Sequence, residues 1–259
     1  PYKGFAIEFA EHRQYSPGDD PKHLDWKLLG KLDRLYIRQY EEDTSLKTYL
    51  LLDCSGSMAY RSARFSKLDL GRFICGVISY ILLAQRDSVG MVPFDNHIRQ
   101  YLPPRTTRQH LKRVLDLLAA SEPGEDTRLG EVMHAVASRL KRRGFVVIVS
   151  DLFDEAPTII RALNHFAHRK HEVVVFQTLD RREVDFPFTE QTRFESLEGK
   201  EFILTDPIRI RREYRRQFEH HQTAIRKACH QLRIDFNQMF TDDPFERTMA
   251  KYLAGRLKR

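Results

Sequence analysis

The chain has 259 residues, 41% hydrophobic and 31% charged, which is room for one large α/β domain or for one domain with a small appendage. Its formal net charge of +7 admits an acidic or nucleic-acid partner but concerns association, not fold. Three widely spaced cysteines, Cys54, Cys75 and Cys229, exclude a disulfide framework and a cysteine zinc site. The odd number and wide spacing of those cysteines make a reducing cytoplasm the expectation. The longest apolar stretch, Phe73 to Ala84, falls short of the roughly twenty residues that cross a bilayer, so no segment here is expected to span a membrane.

The chain opens on Pro1 with no initiator Met and no charged-then-apolar leader, as a trimmed chain would. Pro17-Gly18 marks a turn, with Asp20 as cap and Pro21 at the first position of a short helix ending at Gly30. Trp26 falls in the middle of that helix and is expected to anchor a small core. Leu32 to Glu41 alternates apolar and polar residues, the pattern of a half-exposed strand. The change of character after it sets the expected boundary between an N-terminal appendage, 1–45, and a main domain, 46–259.

The main domain reads as alternating strands and helices. Tyr49 to Leu52 is apolar without alternation, so this strand is buried on both faces, as in a parallel sheet covered by helices. Ser66 to Gln85 follows as a helix buried over most of its circumference. Ser88 to Phe94 is a strand that turns at Asp95-Asn96 into a second arm, Ile98 to Leu102. Helices are expected at Thr107 to Ala120 and Arg128 to Lys141, then a second buried strand from Phe145, and a helix capped by Asp154 that ends at His168.

Glu172 to Leu179 is a further buried strand. A β-hairpin insert at about 180–206, with arms at Thr192 to Ser196 and Glu201 to Leu204, breaks the alternation. It is expected to join the half-exposed strand in a small side domain. A long Arg-rich helix, Pro207 to Leu232, reads as an exposed face or as a surface for an acidic partner. A strand from Arg233 and a helix opened by Asp243-Pro244 close the chain.

The chemistry gathers where the buried strands stop. The first ends in Asp53-Cys54-Ser55-Gly56-Ser57 and the second in Asp151, and loops after parallel strands open at the sheet's carboxyl edge, where such folds bind ligands. Asp53, Ser55 and Ser57 are hard oxygen donors of the kind that suit Mg²⁺. Each residue also has a structural reading: the serines satisfying loop amides, Thr127 capping a helix, Asp151 capping or pairing with an Arg. Cys54 reads as buried packing, and His165, His168 and His171, set among basic residues, as part of a solvated basic face.

At these residues the chain resembles the von Willebrand factor A-like domains. Their metal-ion-dependent adhesion site is D-x-S-x-S on one loop, Thr on a second and Asp on a third. Asp53, Ser55, Ser57, Thr127 and Asp151 match it in order. The resemblance implies a Rossmann-like fold, a mostly parallel sheet with helices on both faces, and Mg²⁺ or another divalent cation such as Mn²⁺ at those five residues. It also implies a non-catalytic module that docks an acidic side chain of a partner. Tyr15 to Asp20, Asp25-Trp26 and Asp242 to Phe245 are similar to a bacterial branch commonly encoded beside MoxR-type AAA+ ATPases, which suggests such an ATPase, or its client, as partner.

Two other function classes compete. A Mg²⁺-dependent phosphohydrolase or phosphotransferase also places an Asp after a first strand, but an aspartyl nucleophile wants a second acid two residues on, where this chain has Ser55. Nucleic-acid binding would rest on the basic charge alone, because no recognition motif is present.

Overall fold

The computed structural model describes residues 7–17, 19–20, 22, 24–32, 34–42, 47–124, 128–140, 143–195, 197 and 202–257. The chain divides into two compact units, Pro1–Leu46 and Lys47–Arg259.

In the smaller unit, strand β1 (Ile7–Gln14) pairs antiparallel with β2 (Tyr36–Glu42), with an irregularity between Phe9 and Glu11. Helix α1 (Trp26–Leu32) lies between them in sequence. Asp20 accepts a hydrogen bond from the Lys22 amide at 3.0 Å, yet the α-helix starts only at Trp26. Its cap is Asp25, whose Oδ1 accepts from the Lys27 and Leu28 amides at 3.0 and 3.2 Å. Pro21, expected at the first helical position, lies outside the described residues. Trp26 is 66% exposed and anchors no core. The reason is its neighbour: Asp25 is drawn inward by His12 Nε2 at 2.9 Å, and its amide by the Tyr36 carbonyl, so the next side chain on this short helix faces outward.

The larger unit runs β3 (Lys47–Asp53), a 3-10 turn (Gly56–Ala59), α2 (Lys67–Ala84), β4 (Ser88–Phe94), β5 (Leu102–Arg105), α3 (Arg108–Ala120), α4 (Leu129–Arg139), β6 (Phe145–Ser150), α5 (Ala156–His168) and β7 (Glu172–Leu179). It continues with α6 (Arg181–Asp185), β8 (Thr192–Glu195), β9 (Phe202–Thr205), α7 (Pro207–Gln231), β10 (Asp235–Phe240) and α8 (Phe245–Leu257). Six strands form one sheet in the order β10-β7-β6-β3-β4-β5, parallel except for β5, which runs antiparallel to β4. The chain leaves β3 for β4 on one side and later returns to β6 on the other, so the topological switch point lies between β3 and β6.

The unbroken apolar runs are buried on both faces, as their composition demands. Tyr49, Leu51, Val146, Ile148, Val173 and Val175 point one way, into a cluster with Val132, Leu163 and Ile225 from α4, α5 and α7. On the other side Leu52 meets α2, which comes so near at Gly71 that an added Cβ would sit 2.8 Å from Leu52 Cδ1. Each fully buried Val, Leu or Ile contributes about 1.5–3 kcal/mol, so these strands dominate the fold's stability. α2 is more one-sided than its composition suggested: Phe73 is 41% exposed and stacks edge-on with Phe65 and against Phe245. Among the described residues no helix is long and apolar enough to cross a membrane.

Two further expectations change. The hairpin β8–β9 forms its own two-stranded sheet, and β2 takes β1 as its partner, so the expected joint sheet does not form among the described residues. Asp154 accepts not from its own helix's first free amides but from the Gly130 amide, at 3.0 Å, so it caps the neighbouring α4. Gly130 is where α4 touches α5: an added Cβ would lie 2.2 Å from Thr158 Cγ2 and 2.9 Å from its carbonyl carbon. Gly130→Ala is therefore expected to force the two helices apart and to cost about 1–3 kcal/mol, read as a lower urea midpoint.

Candidate metal centre

The residues at the sheet's carboxyl edge are set by register. β3 and β6 pair in parallel with Leu52 opposite Val149, so their terminal acids, Asp53 and Asp151, come out on the same rim on either side of the switch point. Both are buried, at 0% and 1% exposure. β4 and β7 end likewise in buried acids, Asp95 and Asp180, so four neighbouring parallel strands each stop at a carboxylate.

Asp53 organises the first loop. Its Oδ1 accepts from the Ser55 amide at 2.9 Å and its Oδ2 from Ser150 Oγ at 2.6 Å. With Asp53 held, the chain turns through the 3-10 segment, anchored by fully buried Met58, and brings Ser55 Oγ to 3.1 Å from Ser57 Oγ. Adjacent ligands of an octahedral ion with bonds of about 2.1 Å stand about 3.0 Å apart. The serine pair has that spacing, and the donor chemistry fits a hard divalent cation.

Thr127 lies outside the described residues. Gly124, on the same loop, is tied to the first one: its amide donates to the Cys54 carbonyl at 2.6 Å. Arg99 holds the same place, pairing with Asp95 at 2.7 Å and donating to the Cys54 and Glu122 carbonyls. Cys54 itself is fully buried, and that burial pushes its thiol up to about 12, so it is inert packing as expected.

Asp151 is not free. Its Oδ1 accepts from the Phe153 amide at 3.1 Å, and its Oδ2 is 2.7 Å from the ammonium of Lys67. Lys67, in the first turn of α2, has no exposed surface; it also meets Glu183 Oε1 at 2.6 Å and lies 4.5 Å above the Phe153 ring. Burial opposes its charge, but Asp151 and Glu183 outweigh that and raise its pKa above the usual lysine value. Burial raises the Glu183 carboxyl against the pull of Lys67. Asp180 caps α6 and accepts from the Ser62 amide and hydroxyl, at 2.8 and 2.6 Å, and from Thr241 Oγ1 at 3.0 Å.

The charges do not balance. Lys67 answers Asp151 and Glu183, while Asp53 has no ion pair among the described residues. Burial first, and then the charge of Asp151, push the Asp53 carboxyl up to about 7. An excess of buried negative charge beside neutral hydroxyls is an environment that a cation relieves. Among the described residues no three His, Cys, Asp or Glu side chains gather as a metal cluster, so any cation here relies on hydroxyl donors.

Lys67, Glu183, Asp180 and Ser150 were not singled out from the sequence. A signal existed for three of them. A Lys in the first turn of a helix opposes the helix dipole and asks for a nearby acid, and Asp180-x-x-Glu183 has the spacing of a capping box. The histidines divide: His168 is exposed, but His171 is buried and accepts from the Gly144 amide at 3.2 Å, so they do not form one solvated face.

A family model described as "Protein of unknown function DUF58" matches residues 11–226. The chain belongs to the DUF58 family. Uncharacterised proteins of Mycobacterium tuberculosis and Mycobacterium bovis are each 26% identical to this DUF58 chain over 98% of its length and 80% of their own. Among solved structures it resembles the conserved hypothetical protein BatB of Bacteroides thetaiotaomicron, at 14% identity over 83% of this chain and all of that one, with a TM-score of 0.54. An aerotolerance-related membrane protein of Bacteroides fragilis aligns at 15% identity over 80% and 96% of the two chains, with a TM-score of 0.55. At these identities the likeness concerns the fold alone: a mixed α/β architecture with a mostly parallel six-stranded sheet between helices.

Proposed function

We propose that this DUF58 chain is a non-catalytic, metal-dependent protein-interaction module. Asp53, Ser55, Ser57, Thr127 and Asp151 hold a divalent cation, Mg²⁺ or Mn²⁺, and a partner protein presents a carboxylate to it. The partner is a MoxR-type AAA+ ATPase or its client, and the encounter takes place in the cytoplasm. The observation that supports this reading best is the pair of serine hydroxyls 3.1 Å apart, held at the switch point by a buried acid that has no ion pair among the described residues. When bound, the cation supplies a positive centre that few anionic ligands neutralise. Asp53 fixes the loop, the two serines offer neutral oxygens, and Asp151, already engaged by Lys67, acts at longer range.

The phosphotransferase reading draws less support. Both oxygens of Asp53 already accept hydrogen bonds and the group has no exposure, which suits a positioning role better than nucleophilic attack. The test is capture of a purified MoxR-type ATPase by the wild type and by Asp53→Ala, with Mg²⁺ and with EDTA. Binding is expected in the wild type with Mg²⁺ and a loss of at least about 100-fold in the other arms. Equal capture in all four overturns the reading, and metal-dependent turnover of a phosphoester that is lost in Asp53→Asn replaces it with the phosphotransferase.

A further inference from the structure

Away from the metal centre, the described residues of the β8–β9 hairpin expose a run of large apolar side chains. Phe202, Ile203 and Leu204 are 56%, 66% and 59% exposed at consecutive positions of one strand. Successive residues of a strand face opposite sides. Phe202 and Leu204 share a face with Glu195 and Arg193, while Ile203 shares the other with Phe194. Apolar side chains are therefore open on both faces of the ribbon. Phe194 closes part of the second face against Phe186 and Phe188, so the open apolar surface is the Phe202–Leu204 face and the Ile203 side chain beside it, which a fluid medium covers together.

The charges beside the hairpin select the medium. One short connection, capped by Asp206, leads into α7, where Ile208 is 60% exposed. Ile208, Arg212 and Arg215 stand at helical spacing on one face of α7. Arg193 lies 4.2 Å over the Phe202 ring and pairs with Glu195, Arg209 pairs with Asp206, and Arg216 with Glu213. Arg212 and Arg215 are exposed and have no ion pair among the described residues. An anionic surface would gain from both.

The hairpin is also held rigidly enough to be presented. Phe194 packs against Phe186 and Phe188 at 5.5 and 5.3 Å, and Phe186 against Tyr214 of α7 at 4.5 Å, so hairpin and Arg-rich helix form one piece.

We propose that the β8–β9 hairpin and the first turns of α7 dock this protein on the surface of an anionic lipid bilayer. Phe202, Ile203, Leu204 and Ile208 enter the boundary between headgroups and acyl chains, and Arg212 and Arg215 contact anionic headgroups. The outer edge of β9, which has no strand partner among the described residues, stays at headgroup depth, where water and phosphate oxygens serve its amides. The contact is peripheral and independent of the metal reading.

Flotation of the chain with vesicles of phosphatidylcholine, alone or with about one-third phosphatidylserine, tests this. Binding is expected to favour the anionic vesicles and to persist in EDTA and in Asp53→Ala. The triple change Phe202→Ser, Ile203→Ser, Leu204→Ser and the double change Arg212→Glu, Arg215→Glu should each weaken it at least about tenfold with thermal unfolding unchanged. Equal binding to neutral and anionic vesicles, wild-type binding by both variants, or a concentration-dependent dimer abolished by the triple change in place of vesicle binding overturns the proposal.

Discussion

Lys67→Met is expected to destabilise the protein by about 3–5 kcal/mol, the largest effect of any single change at the rim. The substitution keeps most of the side-chain volume and removes the ammonium, leaving Asp151 and Glu183 buried without the cation they share. Taking a charge out of water is repaid here by two short contacts and the Phe153 ring, and all of that is lost at once. For a unit of this size the loss corresponds to a fall of about 10–15 °C in Tm. Adding Glu183→Gln to Lys67→Met removes one stranded carboxylate and should recover part of the loss, which a plain packing defect would not do. If Asp151 serves a divalent cation, Lys67→Met should also bind Mg²⁺ more tightly than the wild type, because the competing ammonium is gone. An unchanged Tm would show that the triad contributes nothing.

The second large effect is a pH-dependent stability that Mg²⁺ reverses. The Asp53 carboxyl titrates at about 7 in the folded protein, against an ordinary value of 3.8, because it is buried and lies near Asp151. The folded state therefore holds a proton that the unfolded chain releases, so this contribution is fully present below pH 3.8 and is lost as pH rises toward 7. Each pH unit in that window removes about 1.4 kcal/mol from the metal-free protein, and above pH 7 the loss levels off. A cation that needs the ionised carboxylate does the opposite. Its affinity should rise about tenfold per pH unit up to 7 and then flatten. At a hundred times its dissociation constant it returns about 2.7 kcal/mol. Asp53→Asn should abolish both the slope and the Mg²⁺ response, and in metal-free buffer at pH 8 should be more stable than the wild type. Thermal unfolding between pH 5 and 8, with Mg²⁺ and with EDTA, reads all of this. A Tm that does not depend on pH in EDTA would contradict the burial of Asp53 and its proximity to Asp151.

The strands that build the rim were legible because burial on both faces removes polar alternation, and Tyr49 to Leu52 and Phe145 to Val149 are apolar runs too short for a buried helix. The acids ending those strands were legible for the same reason, since a polar residue at the end of such a run marks where the sheet opens. Trp26 was misread because its type speaks for burial while its neighbour decides: buried Asp25 turns the helix, and Trp26 faces outward. The partner of β2 was missed because β1, Ile7–Gln14, mixes polar and apolar residues too evenly to announce itself.

The alternation of elements, the two buried strands and the row of hydroxyls and acids at their ends are written in adjacent residues, because pattern and burial are local. That β3 and β6 are neighbours, that Asp154 caps a helix other than its own, and that Lys67 reaches Asp151 and Glu183 across 84 and 116 residues emerges from the packed fold alone. Such pairings depend on how separate elements pack. A lysine's reach and charge are fixed by its chemistry, but the acids it finds are chosen by the fold.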